Sequence, residues 1–283
     1  MPLKTMRQAA APEPVFAENG FSLISKQKLL QLYATMFKSR MLEDCVKAER
    51  ARNLNGHGEA RSPWQPARGR EAASVGVLVD LVSEDTVASN PGSLIPLFLK
   101  GVPLGELFKA HTRPIAPRSQ AASQTVSSLA EAVTAAMANK ASKNRKIVVA
   151  FPGRDAPARL SWQQALSHAS LHNLPMIFVS HSARLLKTKL EGCPAIPVDG
   201  HDVVAVYRVA SESITRAREG RGPTLIECRR WQSADSVHNP DNNPIHKMEK
   251  YLTRKGLFTA ALRTEIAAGF RRELETAILS AQN

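Results

Sequence analysis

The forty residues from Arg145 to Arg184, RKIVVAFPGRDAPARLSWQQALSHASLHNLPMIFVSHSAR, decide the fold. Ile147, Val148, Val149, Ala150 and Phe151 make a short unbroken apolar run, the pattern of a parallel strand buried on both faces. Pro152 and Gly153 end it. Residues 161–173 then carry apolar positions at helical spacing, and Met176–Val179 make a second buried strand. Strand, turn, helix and strand in that order predict a parallel sheet. Ligands of such sheets bind beyond the carboxyl ends of the strands, so residues 152–160 and 180–184 are expected to line any site.

Working outward, helices alternate with short apolar strands from residue 86 onward, which predicts a three-layer α/β sandwich around a central parallel sheet. Thr86–Ser89, Ala195–Val198 and Thr224–Cys228 are further strand candidates. Helices are expected from Ser25, as N-cap, to about Arg52, then at about 69–82, 94–99, 104–110, 125–140, 202–219, 245–255 and 259–281. Residues 1–24, rich in Ala and Pro, read as a disordered or extended tail, and residues 25–283 as a single domain. A chain of 283 residues with 43% hydrophobic content is long enough to bury a sizeable core.

Composition narrows the function. No apolar run approaches the ~20 residues that span a bilayer, so no membrane role is expected. Cys45, Cys193 and Cys228 are odd in number and widely spaced, which points to reduced thiols, a cytoplasmic chain and no cysteine metal site. Of the formal charge of +13, a net +8 falls between Lys140 and Lys189, where nine basic residues face Asp155 alone. Such a rim can attract a phosphorylated ligand or nucleic acid. The 5% aromatic content argues against a stacking platform for single strands, and a solvated basic face is the preferred reading.

Several stretches in the same order resemble the alpha subunit of thiamine-diphosphate-dependent 2-oxo acid dehydrogenases of the pyruvate or branched-chain type. LLQLYATMFKSRMLED (29–44) resembles that family's opening helix, GREAASVGV (69–77) its GQEA-type segment, and GVPLGELF (101–108) the helix that follows. VDGHDVVAVYRVASESITRAREGRGPTLIE (198–227) is the strongest match, and NPIHKMEKYLTRKGLFT (243–259) also fits. The resemblance covers roughly residues 25–282. It implies the thiamine-diphosphate-binding fold, a cofactor held between alpha and beta partners, and decarboxylation of a 2-oxo acid with acyl transfer to lipoamide. The cofactor would supply the carbanion chemistry and the protein its binding and orientation.

The departures fall where the resemblance would place the cofactor. The family's Gly-Asp-Gly, whose Asp binds magnesium, is matched by Gly153, Arg154 and Asp155. A guanidinium has five donors and no lone pair for a cation. The family's Asn-Asn pair after the second strand is matched by Ser182 and Ala183, and Ala183 offers no ligand atom. A cofactor-holding Tyr-Arg pair becomes Pro91 and Gly92, and a His-bearing stretch becomes Leu94–Ile95–Pro96. The segments matching two family loops, at 111–124 and 230–243, are short. Slipping Asp155 into the ligand position would shift the strand by one residue and turn its core side chains outward.

Other candidates are thinner. Arg154, Arg159 and Arg184 at neighbouring strand ends suggest a metal-free anion site, against the plainer reading that Arg154 pairs with a nearby carboxylate. His168 and His172 stand at a spacing that can bind zinc, but lack a third ligand, and packing in a core or interface is preferred. His181 is a possible proton carrier without a nucleophile beside it.

The sequence therefore predicts a pseudoenzyme: an alpha-subunit homologue without thiamine diphosphate, magnesium or catalytic residues of its own. Its expected role is structural or regulatory, as a homodimer or beside a beta-type subunit, with Ala72, Ala73 and Gly76 allowing close approach of the partner. Two alternatives stand beside it. One is an active subunit whose thiamine-diphosphate and magnesium site is completed by the partner; the other is anion or nucleic-acid binding through the basic rim.

Overall fold

A computed structural model of the chain describes residues 24–53, 68–89, 93–112, 125–126, 128–151, 158–181, 191–229 and 243–282. Strands β1 (Thr86–Ala88), β2 (Thr125–Val126), β3 (Val148–Ala150), β4 (Met176–Ser180), β5 (Ala195–Asp199) and β6 (Thr224–Arg229) form one sheet in the order β2-β1-β3-β4-β6-β5. Every pairing is parallel, with Val149 beside Ile177 and Phe178 beside Leu225 at the centre. Each central strand is apolar at successive positions because its two faces meet two different cores.

One face carries Val149, Ile177, Val179 and Ile226 against helices α2 (Glu71–Leu78) and α7 (Val203–Arg218). The other carries Val148, Ala150, Met176 and Phe178 against α5 (Leu129–Ala141) and α6 (Ala158–Leu171). Helix α6 joins β3 to β4, while α7 joins β5 to β6 in the reverse direction along the sheet. Right-handed crossovers in opposite directions must lie on opposite faces, as these do. The expected α/β fold with a central parallel sheet is therefore present.

Beyond α2 and α7 lies a further group of helices: α1 (Lys26–Asn53), α3 (Leu94–Leu99), α4 (Leu104–Thr112), α8 (Pro244–Arg254) and α9 (Ala260–Gln282). Helix α2 is consequently buried at all eight of its residues. Gly76 meets α7 so closely that a Cβ there would stand 2.8 Å from Val206 Cγ1. Ala72 faces the outer helices, and Ala73 the sheet side. These small residues, expected to receive a partner chain, are used up by packing inside this one. The spacing was legible; the surface it packs against was not.

The helix starts follow local chemistry. Ser25 Oγ accepts the Lys28 N–H at 3.1 Å, Ser128 and Glu131 form a capping box, and Asp202 Oδ1 accepts from the Val204 and Ala205 N–H groups. Three boundaries depart from expectation. Residues 125–126 form an edge strand on β1, because their backbone completes that strand's hydrogen bonds, and the helix begins only after the Ser128 cap. Helix α2 stops at Leu78 instead of about 82, since the Val82 N–H is drawn to Asp85 Oδ2 at 3.0 Å. Ile24, placed in the tail by composition, is buried beneath α1 and α8.

Asp85 anchors the amino edge of the sheet. Fully buried, it accepts from the Ile147 N–H at 3.0 Å and from both Arg218 guanidinium nitrogens, at 3.1 and 2.6 Å. Lys100 Nζ donates to the carbonyls of Val82, Ser83 and Asp85 at 2.7–2.9 Å. Burial pushes its ammonium pKa down, with Asp85 and Glu84 pulling it partly back. The fold also divides the basic stretch. Lys140, Lys143, Arg145 and Lys146 precede β3 at this amino edge, whereas Arg159 lies in the first turn of α6, beyond the carboxyl edge. Arg154, Arg184, Lys187 and Lys189 of the same stretch lie outside the described residues.

Candidate functional site

Strands β3 and β4 are neighbours, and the chain leaves both at the carboxyl edge of the sheet. β3 ends at Ala150 and Phe151, and β4 at the fully buried Ser180 and the half-buried His181. The two turns that sequence singles out therefore begin side by side. Gly153, Arg154, Asp155, Ser182, Ala183 and Arg184 lie outside the described residues, as do Pro91 and Gly92. Leu94, Ile95 and Pro96 open helix α3 and are buried.

The rest of the carboxyl edge is charged, and its charges satisfy one another. Glu227 on β6 is buried and accepts from Arg229 Nη2 at 2.6 Å. Asp199, at the end of β5, pairs with Lys247 of α8 and accepts the His201 N–H at 3.0 Å. Asp202 is committed to capping α7. A cleft of about 40 Å³ beside them is lined by His201, Asp202, Lys247, Tyr251 and Arg254, with Val203, Val204 and Met248. That is room for about one water molecule.

Among the described residues, no group of three or more His, Cys, Asp or Glu side chains is placed to hold a metal. The described carboxylates of the β5–β6 corner are each engaged by a cation or by backbone N–H groups, so they do not offer free ligands. Among the described residues the polar side chains at these strand ends are Ser180 and His181; Arg154 and Asp155 follow β3 in sequence, and Ser182 and Ala183 follow β4. A magnesium–diphosphate group needs several hard oxygen ligands in near-octahedral order, and the turns that would have to supply them at this edge lie outside the described residues.

Sequence reasoning missed the polar joint between α1, α2 and α8. Glu71, fully buried, accepts from Arg40 Nε and from the Gly69 N–H, the latter at 2.8 Å. Arg40 reaches on to Asn243 Oδ1, which also accepts the Ile245 N–H at 3.2 Å and caps α8. Nearby, Tyr33 donates to Glu249 at 2.9 Å, and burial together with that bond pushes the phenol pKa up. Glu227 did leave a signal, since a carboxylate inside the apolar run TLIEC must be paired.

The three cysteines are free thiols. Burial pushes Cys193 up to about 11 and, with Asp199 adding to it, Cys228 up to about 12. His168 and His172, expected to pack in a core or interface, sit at the outer end of α6, the first half-buried and the second exposed. The helix ends at Leu171, one residue before His172, so the ring is free of the sheet-facing side.

A parallel sheet clothed by helices, with two turns beginning at adjacent carboxyl ends, defines an α/β protein of the open-sheet kind, a class whose ligands bind at that edge. Comparison with known sequences narrows this. Residues 180–283 match the Dehydrogenase E1 component family. The chain is 28% identical to the 3-methyl-2-oxobutanoate dehydrogenase subunit alpha of Mycobacterium tuberculosis, over 91% of this chain and 80% of that one. It is 27% identical to the pyruvate dehydrogenase E1 component subunit alpha of Porphyra purpurea, over 90% and 88%. For the subunit of the same name from Staphylococcus aureus the figures are 23%, 92% and 80%. The chain is similar to the alpha subunits of 2-oxo acid dehydrogenases, as its motifs led us to expect.

Proposed function

We propose that the chain is a non-catalytic homologue of these alpha subunits, binding neither thiamine diphosphate nor magnesium and serving a structural or regulatory role within an oligomer. The observation that carries this reading is the residue type of Arg154, which follows β3 in sequence at the position where the relatives' likeness calls for a metal-binding Asp. A permanent cation there repels the metal that the relatives' likeness calls for, and Ala183 in the adjacent turn supplies nothing in return. The engaged carboxylates at the β5–β6 corner add support. Relatives named as subunits support an assembled state, either a homodimer or a heteromer with a beta-type chain. The free thiols support a reducing, cytoplasmic setting.

Calorimetric titration of the chain with thiamine diphosphate and magnesium tests the proposal. The expected trace is heat of dilution alone, with or without a co-expressed beta-type subunit. Saturable binding at micromolar concentrations would overturn it in favour of an active subunit. Light scattering on the same sample reads the oligomeric state, and a monomer at every concentration removes the homodimer.

A further inference from the structure

We propose that His168 and His172 form a two-histidine surface chelate for a late first-row dication such as Zn²⁺, Ni²⁺ or Cu²⁺. Their ring centroids stand 4.4 Å apart at an interplanar angle of 54°. The His172 N–H donates to the His168 carbonyl at 3.1 Å, so both side chains leave the same turn of backbone although the helix ends between them. Among the described residues, neither imidazole has a hydrogen-bond or ion-pair partner, so the ring nitrogens keep their lone pairs for a ligand.

The spacing is the one a shared ion needs. With metal–nitrogen bonds of about 2.0–2.1 Å, two imidazoles on one ion stand with centroids roughly 4.5–5.2 Å apart, for angles of about 90–110° at the metal. The observed pair reaches this by opening less than about 1 Å, within the swing of an exposed χ angle. Imidazole selects the late transition dications and leaves magnesium to oxygen ligands. Two protein nitrogens leave the remaining positions to water, so the site is open. Lys140, whose Nζ donates to the His172 carbonyl at 2.5 Å, places a positive charge beside it and weakens it. The site lies at the amino end of β4, across the sheet from the turns that leave β3 and β4.

The test is calorimetric titration of the full chain, without an affinity tag, with zinc chloride and separately with magnesium chloride. The expected result is one zinc ion per chain and no saturable magnesium binding. His168→Ala and His172→Ala each weaken zinc binding roughly tenfold or more, since a chelate loses half its ligands. Lys140→Gln tightens it at low salt, by removing a neighbouring cation. Circular dichroism melts of the variants confirm that the fold is kept. Zinc isotherms unchanged in both alanine variants overturn the proposal, as does equal binding of magnesium.

Discussion

Glu71 has no exposed surface and lies against the Arg40 guanidinium, in a joint where three helices meet. A buried pair of this kind adds little over an apolar pair, but losing one partner strands the other charge, at a cost of about 3–5 kcal/mol. Glu71→Ala is therefore expected to lower the urea midpoint by that equivalent, and Glu71→Ala with Arg40→Met to recover most of it. A single variant as stable as the parent would show that Arg40 finds water instead. Nothing in GREAAS marks Glu71 as buried, because its partner lies 31 residues away. Arg154 is the opposite case. Its meaning is in its residue type, since no arrangement of neighbours gives a guanidinium a lone pair, and it is legible without coordinates.

At the scale of elements, the α2–α7 contact is set by Gly76 and Val206. Replacing Gly76 with Ala gains up to about 1 kcal/mol of helix propensity. It also places a Cβ 2.8 Å from Val206 Cγ1 and 3.2 Å from the Tyr207 backbone nitrogen. Overpacking a full core costs about 1–3 kcal/mol, and Val206 is fully buried with nowhere to move, so the clash wins. Gly76→Ala is expected to destabilise, and Val206→Ala in the same chain to restore part of the loss, giving a favourable coupling in a double-mutant cycle. Additive effects would mean that the helices do not approach this closely. The strands of the sheet centre were legible because burial on both faces leaves an unbroken apolar run. The edge strand β2 was not, since two residues carry no period and their pairing is supplied by β1.

For the molecule as a whole, the buried thiols and phenols set an alkaline limit. Free thiols of this kind lose their proton near 9.0, whereas Cys193 and Cys228 hold theirs to about 11 and 12. Tyr207 is likewise pushed up to about 12 by burial and its bond to Asp80. A raised acid is stabilising while the unfolded chain also keeps its proton, so this contribution is whole below about pH 9 and is lost as pH climbs towards 11–12. Urea unfolding at pH 8 and pH 10.5 should show the fall, and a Cys193→Ala, Cys228→Ala chain should show a shallower one. An equal fall in both chains would place the alkaline limit elsewhere. The α/β class and sheet were readable from pattern, because pattern records burial. The joints were not, because they join distant segments: Tyr33 to Glu249 is 216 residues, and Arg40 to Asn243 is 203. Those separations also have a meaning in time. A ribosome adding about 5–20 residues per second needs roughly 10–40 s to cover them. Throughout that interval the first helix waits, its Leu29, Tyr33 and Met36 stripe without α8 to close over it. A newborn chain of this protein carries that stripe without its α8 cover until its last quarter emerges.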